Sequence, residues 1–180
     1  RLSRLVRQLL SLARNEPGAL RALQLQPLDL DAFALEVSME WVPEAIKRNI
    51  DLGFEGGDQP LLINADRDRL RELINNLIDN AIKYGRPEGR VTIAGRALAG
   101  ERIELSVRDD GPGIPMESKE RVFERFYRVD KARSREQGGT GLGLAIVKNV
   151  MQAHGGEVRV ESSPSAGTTF FLTLPAMKVN

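Results

Sequence analysis

Apolar and polar positions along the 180-residue chain change period several times, and each change predicts an element. Leu2, Leu5, Val6, Leu9 and Leu12 recur at helical spacing, with Arg1, Arg4, Arg7 and Arg14 on the other faces. The helix they predict ends at Asn15-Glu16-Pro17-Gly18. So short a stripe needs a partner, either the domain that follows or another helix of a bundle. A polar, Pro-bearing connector leads to residues 31–49, helical in pattern but interrupted at Pro43. Residues 50–55 and 61–65 read as short strands around a Gly56-Gly57 turn. The strongest helix is expected over residues 67–84. Asp66 is placed to cap its start, Gly85 follows its end, and Leu70, Leu73, Ile74, Leu77 and Ala81 form its buried stripe. Strands follow at 90–95 and 102–108, the second with Ile103, Leu105 and Val107 alternating. Residues 111–139 are charged, with Gly and Pro at the start, Gly at the end and one short amphipathic piece at 122–126. A loop that long inside a compact domain is usually functional or disordered. A helix at 143–153 and strands at 157–162 and 168–174 complete the pattern. Helices and hairpins interleave without βαβ regularity, which predicts an α+β sandwich with helices layered on one face of a mixed sheet.

Composition removes whole classes of chemistry. Lys+Arg 26 against Asp+Glu 25 leaves a net charge of +1, which favours neither nucleic acid nor an acidic-surface protein. Any basic ligand site is therefore local. The absence of Cys excludes disulfides, thiolate metal sites and Cys nucleophiles. With His154 as the single His, chemistry must rest on Asn, Asp, Lys, Arg and backbone amides. A hydrophobic fraction of 41% suffices for one core. No apolar run approaches the roughly 20 residues of a membrane helix. The chain opens at Arg1 inside a helical pattern and is read as a piece of something longer.

Three constellations carry candidate chemistry. Within Asn76-Leu77-Ile78-Asp79-Asn80-Ala81-Ile82-Lys83-Tyr84, Asn76, Asn80 and Lys83 fall at i, i+4 and i+7 on one helix face, about a third of a turn from the Leu stripe. Amide oxygens there suit Mg²⁺ that already carries phosphate, and a Lys neutralises further phosphate charge. A solvated face with incidental Asn residues is the plain alternative, but Asn is a poor helix former. Asp109-Asp110-Gly111-Pro112-Gly113-Ile114 ends an alternating strand. A carboxylate in that place can accept from an amino group such as the exocyclic amine of adenine, or can simply begin a turn. Gly138-Gly139-Thr140-Gly141-Leu142-Gly143-Leu144 runs into a helix, where amide N–H groups and the helix dipole favour phosphate. It is neither a P-loop nor a dinucleotide fingerprint, since no Gly-Lys-Ser/Thr occurs and no strand precedes it directly.

These stretches occur in one order. NLIDNAIKYG, DDGPGIP, VFERFYR, GGTGLGLAIVK and HGGEVRVESSPSAGTTFFLTLP resemble the N, first glycine, F, second glycine and terminal boxes of bacterial two-component sensor histidine kinases. Those kinases are members of the GHKL ATPase superfamily, with gyrase B, heat-shock chaperones and mismatch-repair ATPases, and share its Bergerat fold. The resemblance covers residues 28–175, about the expected ATP-binding catalytic domain at 28–180. It implies that residues 1–16 are the end of the second helix of a dimerisation and phosphotransfer hairpin, and that 17–27 are a linker.

By this resemblance, Asn80 is expected as the main Mg²⁺ ligand from the protein, with Asn76 beside it and Lys83 near the phosphates. Asp109 would hold the adenine amine with Thr168, and Gly111, Gly113 and Ile114 would shape that pocket. Gly139, Gly141 and Gly143 would support the phosphates, with Thr140 and Leu142 also counted among the ATP-binding residues. Residues 115–137 would form an ATP lid, with Arg125 and Arg128 toward the γ-phosphate and Phe126 between them. Tyr84 would pack on the nucleotide or close the helix end. Hydrolytic relatives carry Glu at the position of Asn76, and an amide cannot act as a general base. The implied activity is therefore transfer of the γ-phosphoryl group of ATP to a histidine on the dimerisation domain, a segment not found here. His154 reads as structural. The alternatives are a GHKL ATPase, an anti-sigma-type serine kinase or a degenerate ATP-sensing scaffold. The implied partners are the chain's own dimerisation domain, as a homodimer, and a cognate response regulator, without nucleic acid. The implied location is the cytoplasmic side of an inner-membrane protein, held there through sensor segments outside this sequence.

Overall fold

A computed structural model describes residues 2–14, 22–129 and 139–178. The Asn15-Glu16-Pro17-Gly18 stop and the expected lid residues 130–137 lie outside them. Helix α1 (Leu2–Arg14) comes first, then strand β1 (Leu25–Asp29), α2 (Leu30–Met39) and α3 (Val42–Lys47). Strands β2 (Asp51–Glu55) and β3 (Leu62–Asp66) lead into the long α4 (Arg67–Tyr84). Strands β4 (Arg90–Leu98) and β5 (Arg102–Asp109) precede two short 3-10 turns, Met116–Ser118 and Arg121–Phe123. Helix α5 (Gly143–Ala153) and strands β6 (Glu157–Ser163) and β7 (Gly167–Pro175) complete the described chain.

Five strands form one sheet in the order β2-β4-β5-β7-β6, with β2 parallel to β4 and every other pair antiparallel. Its inner face buries Val91 and Ile93 from β4, Ile103, Leu105 and Val107 from β5, and Phe170, Leu172 and Leu174 from β7. Those strands alternate with period two because one face meets helices and the other meets water. The outer face carries Thr92, Ser106 and Arg108, and there Glu104 sits under Arg96 and Arg159 at 2.6 and 3.3 Å. The arrangement is the expected α+β two-layer sandwich. Helix α4 lies on the inner face with Leu70, Leu73, Ile74, Leu77, Ile78, Ala81 and Ile82 buried. Each fully buried Leu or Ile contributes about 1.5–3 kcal/mol of burial free energy, so α4 is the main support of the core. Asp66 caps α4 as expected, accepting from Arg69 N–H at 3.2 Å. Gly85 ends it with extended backbone (φ −62°, ψ 178°) rather than in the left-handed region, its N–H still bonded to the Ala81 carbonyl.

Two expectations change. Strands β2 and β3 are not a hairpin about Gly56-Gly57: β2 joins the large sheet beside β4, and β3 forms a separate two-stranded sheet with β1. The connector expected over residues 17–27 contains the start of β1, because Leu25–Asp29 pairs antiparallel with Leu62–Asp66. The interruption expected at Pro43 is present: Pro43 stands in the first turn of α3, where a missing N–H costs nothing, and α3 starts as a second helix.

His154 joins the ends of two helices. Its Nδ1–H donates to the Val150 carbonyl at 2.7 Å, and its Nε2 accepts from Asp66 N–H at 3.0 Å. Acceptance at Nε2 requires the neutral ring, and burial holds its pKa below the usual value although the Val150 bond and the Asp66 charge pull it up. The structural role expected of it follows from this geometry. Asp66 is pushed up by burial but held below the usual carboxylate range overall by the N–H groups of Gln24 and Arg69, the Arg69 charge and His154.

Candidate nucleotide site

A cleft of about 230 Å³ opens between α4, the ends of β5 and β7, and the loop that enters α5. The sheet supplies its floor. Asp109 and Thr168 are register partners, and each continues the buried alternation of its strand, after Val107 and before Phe170. A carboxylate thus occupies an inward position that the rest of β5 fills with aliphatic side chains. Asp109 is only 8% exposed, and burial pushes its pKa up to about 6. The N–H groups of Gly111 and Thr168 pull it down, and the Asp110 charge pushes it further up. Gly111 N–H donates to its Oδ1 at 2.8 Å. Ser162 Oγ donates to the Gly167 carbonyl at 2.8 Å and stands 3.0 Å from Thr168 Oγ1. Thr168 is therefore left to donate to Ser162 and to offer its lone pairs elsewhere.

The α4 wall presents Asn76, Asp79, Asn80, Lys83 and Tyr84. Lys83 Nζ and Asp79 Oδ2 pair at 2.5 Å, one helical turn apart. Asn76 donates from Nδ2 to the Glu72 carbonyl at 2.9 Å. Its Oδ1 is thereby turned toward α5, where a Cβ on Gly143 would stand only 2.9 Å from it. A side chain at Gly143 would press on the Asn76 amide and make it shift. Asn80 lines the cleft.

Opposite lies the loop Gly139-Thr140-Gly141 at the start of α5. Leu142, at the N-cap, makes no side-chain capping bond, and the first residues of α5, Gly143 and Leu144, line the cleft. Gly141 has φ +73°, and a Cβ there would come within 2.9 Å of the Phe126 backbone. Phe126 N–H donates to the Gly141 carbonyl at 2.8 Å, tying the expected lid to this loop.

Thirteen of the seventeen expected binding residues come together around this cleft: Asn76, Asn80, Lys83, Tyr84, Asp109, Gly113, Ile114, Arg128, Gly139, Thr140, Gly141, Gly143 and Thr168. Gly111, Arg125, Phe126 and Leu142 do not line it. Gly111 lies behind Asp109 and acts through its N–H. Leu142 is fully buried and belongs to the core. Val122 and Phe123 turn inward from the 3-10 turn, Phe123 meeting Phe170 edge-on at 6.1 Å. That turn leaves Arg125 and Phe126 exposed, Phe126 with φ +64°, before Tyr127 and Arg128 return to the cleft.

Eight lining residues were not foreseen: Gln8, Asp79, Pro112, Val122, Tyr127, Val129, Leu144 and Phe170. Phe170 shares its strand face with Thr168, and Asp79 stands one turn from Lys83, so period-two and i,i+4 spacing could have found both. No spacing rule reaches Gln8.

The comparisons with known proteins agree with this geometry. A family model described as histidine kinase-, DNA gyrase B-, and HSP90-like ATPase matches residues 65–178. The sensor-like histidine kinase SenX3 of Mycobacterium tuberculosis is 41% identical over 98% of this chain, and sensor histidine kinase WalK of Bacillus subtilis is 39% identical over 97%. The chain spans only 42% and 28% of those two proteins. Among solved structures, full-length ShkA in complex with AMPPNP superposes with a TM-score of 0.85 at 32% identity, covering 99% of this chain and 36% of ShkA. The catalytic domain of histidine kinase ThkA, nucleotide-free, gives 0.75 at 30% identity, covering 85% of this chain and 96% of that one. ThkA in complex with response regulator protein TrrA gives 0.78 at 27%, covering 98% of this chain and 48% of that one. The chain belongs to the family of histidine kinase-, DNA gyrase B- and HSP90-like ATPases.

Proposed function

We propose that this chain is the catalytic part of a sensor histidine kinase, which binds ATP with Mg²⁺ and presents the γ-phosphoryl group to a histidine carried by its dimerisation domain. The observation that carries the reading is the buried Asp109 carboxylate facing, across one cleft, a helix start without a side-chain cap. An amine-bearing base fits the first and phosphate fits the second. A guanine would present a carbonyl oxygen to Asp109, so adenine is the better fit. The amides of Asn80 and Asn76 are hard neutral donors that suit Mg²⁺, and Lys83 adds positive charge beside them. Bound Mg²⁺ supplies charge neutralisation across the phosphate oxygens.

In the proposed transfer a histidine nitrogen forms a bond to the γ-phosphorus, the bond to the β–γ bridging oxygen breaks, and ADP leaves with that electron pair. The histidine gives up its proton to solvent. Hydrolysis is disfavoured because the Asn76 amide cannot take a proton from water, and the Asp79 carboxylate is engaged by Lys83. The SenX3 and WalK relationships support the kinase reading, and the ThkA–TrrA complex supports a response regulator as the downstream partner. In the same reading α1 is the end of the phosphotransfer hairpin, and the longer protein is a homodimer that works on the cytoplasmic side of a membrane. No helix among the described residues is long and apolar enough to cross one itself.

The test is calorimetric titration with AMPPNP, with and without Mg²⁺, and with GTP as control. Magnesium-dependent binding that discriminates against GTP is the expected result. Equal binding of both nucleotides, or rapid hydrolysis of ATP by the chain alone, would refute the assignment.

A further inference from the structure

Helix α1 reaches the cleft through a side chain that no motif marks. Gln8 is buried on the inner side of α1 and lines the cleft. Its Oε1 accepts from Thr140 Oγ1 at 2.6 Å, and Thr140 stands between the two glycines of the loop that faces the helix start. Leu142 N–H approaches the same Thr140 oxygen at 3.4 Å, from its lone-pair side. A threonine hydroxyl has one proton, and here Gln8 holds it.

The rest of the α1 contact is modest and partly polar. Ser11 Oγ donates to Glu72 Oε2 at 2.6 Å, Leu12 is buried, and Leu5 packs against the core. Val6 and Leu9 are exposed. Among the described residues the contact thus includes the Ser11 and Gln8 side-chain hydrogen bonds with Leu5 and Leu12, and the Gln8 bond ends inside the nucleotide cleft.

We propose that Gln8 is a positioning residue that latches α1 to the glycine loop through Thr140, and that the triphosphate competes for the same hydroxyl, so that filling the cleft and docking α1 oppose each other. The proposal rests on the nucleotide reading above. While Gln8 holds the proton, a phosphate oxygen near Thr140 meets lone pairs and is repelled. Once phosphate takes the proton, Gln8 Oε1 is left buried without a donor, a state relieved when α1 moves outward into water. Linkage makes the coupling reciprocal: whatever draws α1 away from the domain frees Thr140 and tightens nucleotide binding. The signal-bearing helix would thereby be read at the phosphate end of the cleft by one hydrogen bond.

The test is amide hydrogen exchange of the whole 180-residue chain, alone, with AMPPNP and Mg²⁺, and with adenosine as a phosphate-free control. Calorimetry of Gln8→Ala, in wild-type and Thr140→Val backgrounds, accompanies it. AMPPNP should speed exchange in α1 while adenosine leaves it unchanged. Gln8→Ala should tighten AMPPNP binding about three- to ten-fold, and that gain should vanish with Thr140→Val. Exchange in α1 that is unchanged or slowed by bound AMPPNP, or a Gln8→Ala chain that binds it more weakly, overturns the latch alone. A wild-type chain that binds no AMPPNP overturns the nucleotide reading and the latch with it.

Discussion

The proton on Asp109 gives the sharpest test of how this cleft recognises a base. Burial raises its pKa from 3.8 to about 6, and a shift of about two units corresponds to roughly 3 kcal/mol against the ionised form. A ligand amine donates to the carboxylate, not to the protonated acid. Affinity for an adenine nucleotide should therefore be level above pH about 7 and should fall toward about tenfold per pH unit below about 6. Stability carries the opposite sign. A raised carboxyl pKa contributes stability that is fully present below 3.8 and is lost as pH rises through about 6.

Asp109→Asn isolates both effects. Gly111 N–H, at 2.8 Å from Oδ1, would select the amide oxygen and turn the NH₂ group into the cleft. That donor would face the adenine amine, another donor, and lower affinity about 10- to 100-fold near pH 7.5. The same variant should lose the pH dependence between about 5.5 and 7.5 and unfold at a higher temperature near pH 7.5, with roughly 3 kcal/mol as the ceiling. Calorimetric titrations at several pH values, with adenosine beside AMPPNP because adenosine has no phosphate to titrate in that window, supply the measurement. If wild type and Asp109→Asn show the same pH slope with adenosine, Asp109 is not the base-reading group.

Four further outcomes can be checked on the same protein. Asn80→Ala should abolish the gain in AMPPNP affinity that Mg²⁺ provides while leaving Mg²⁺-free binding unchanged; loss of both would mean Asn80 shapes the cleft rather than holding the ion. Gly141→Ala adds a Cβ to a residue at φ +73° and within 2.9 Å of the Phe126 backbone, and should weaken nucleotide binding about tenfold or more through backbone strain of about 1–3 kcal/mol; unchanged calorimetry would refute it. His154→Ala should cost about 1–3 kcal/mol near pH 8 by leaving Asp66 N–H and the Val150 carbonyl with one partner fewer. Its lowered pKa means wild-type stability falls as pH drops from 6.5 toward the folded value, so the gap to His154→Ala in thermal melts should narrow below about pH 6.5. Glu104→Ala should cost about 1–2 kcal/mol in thermal unfolding, because its nearly buried carboxylate anchors Arg96 and Arg159 on the outer sheet face, with AMPPNP binding unchanged.

What the sequence disclosed, and what it withheld, follows from the range over which each signal acts. Helix α4 was legible because capping by Asp66 and the spacing of Leu70, Leu73, Ile74 and Leu77 are local facts. The inward position of Asp109 was nearly legible, since Ile103, Leu105 and Val107 already define the face it continues. Strands β2 and β3 were found but wrongly joined, because a Gly56-Gly57 turn between two strands looks the same whether they pair with each other or with Arg90–Leu98 and Leu25–Asp29. Only the remote partners decide. Arg125 was expected at the γ-phosphate, and Phe126 among the binding residues, by resemblance of the lid motif, but a motif does not say which way a 3-10 turn aims its next side chains.

Helix α1 shows the limit most clearly. A hydrophobic stripe through Leu5, Val6, Leu9 and Leu12 suggests one buried face. The structure instead buries Gln8, Ser11 and Leu12 and leaves Val6 and Leu9 exposed. The stripe allowed two partners, the domain or another helix: Leu5 and Leu12 meet the domain, Val6 and Leu9 are left outward for the other, and α1 meets its own domain partly through hydrogen bonds. Such a contact is weak by construction: each hydrogen bond contributes about 0.5–1.5 kcal/mol net, where burying one more leucine would contribute about 1.5–3. An element that must leave its seat on a signal is better held by bonds that water or a phosphate can replace than by apolar area that nothing else can satisfy. In the proposed latch, the polar inner face of α1 is where low sequence legibility and responsiveness to phosphate have the same physical cause.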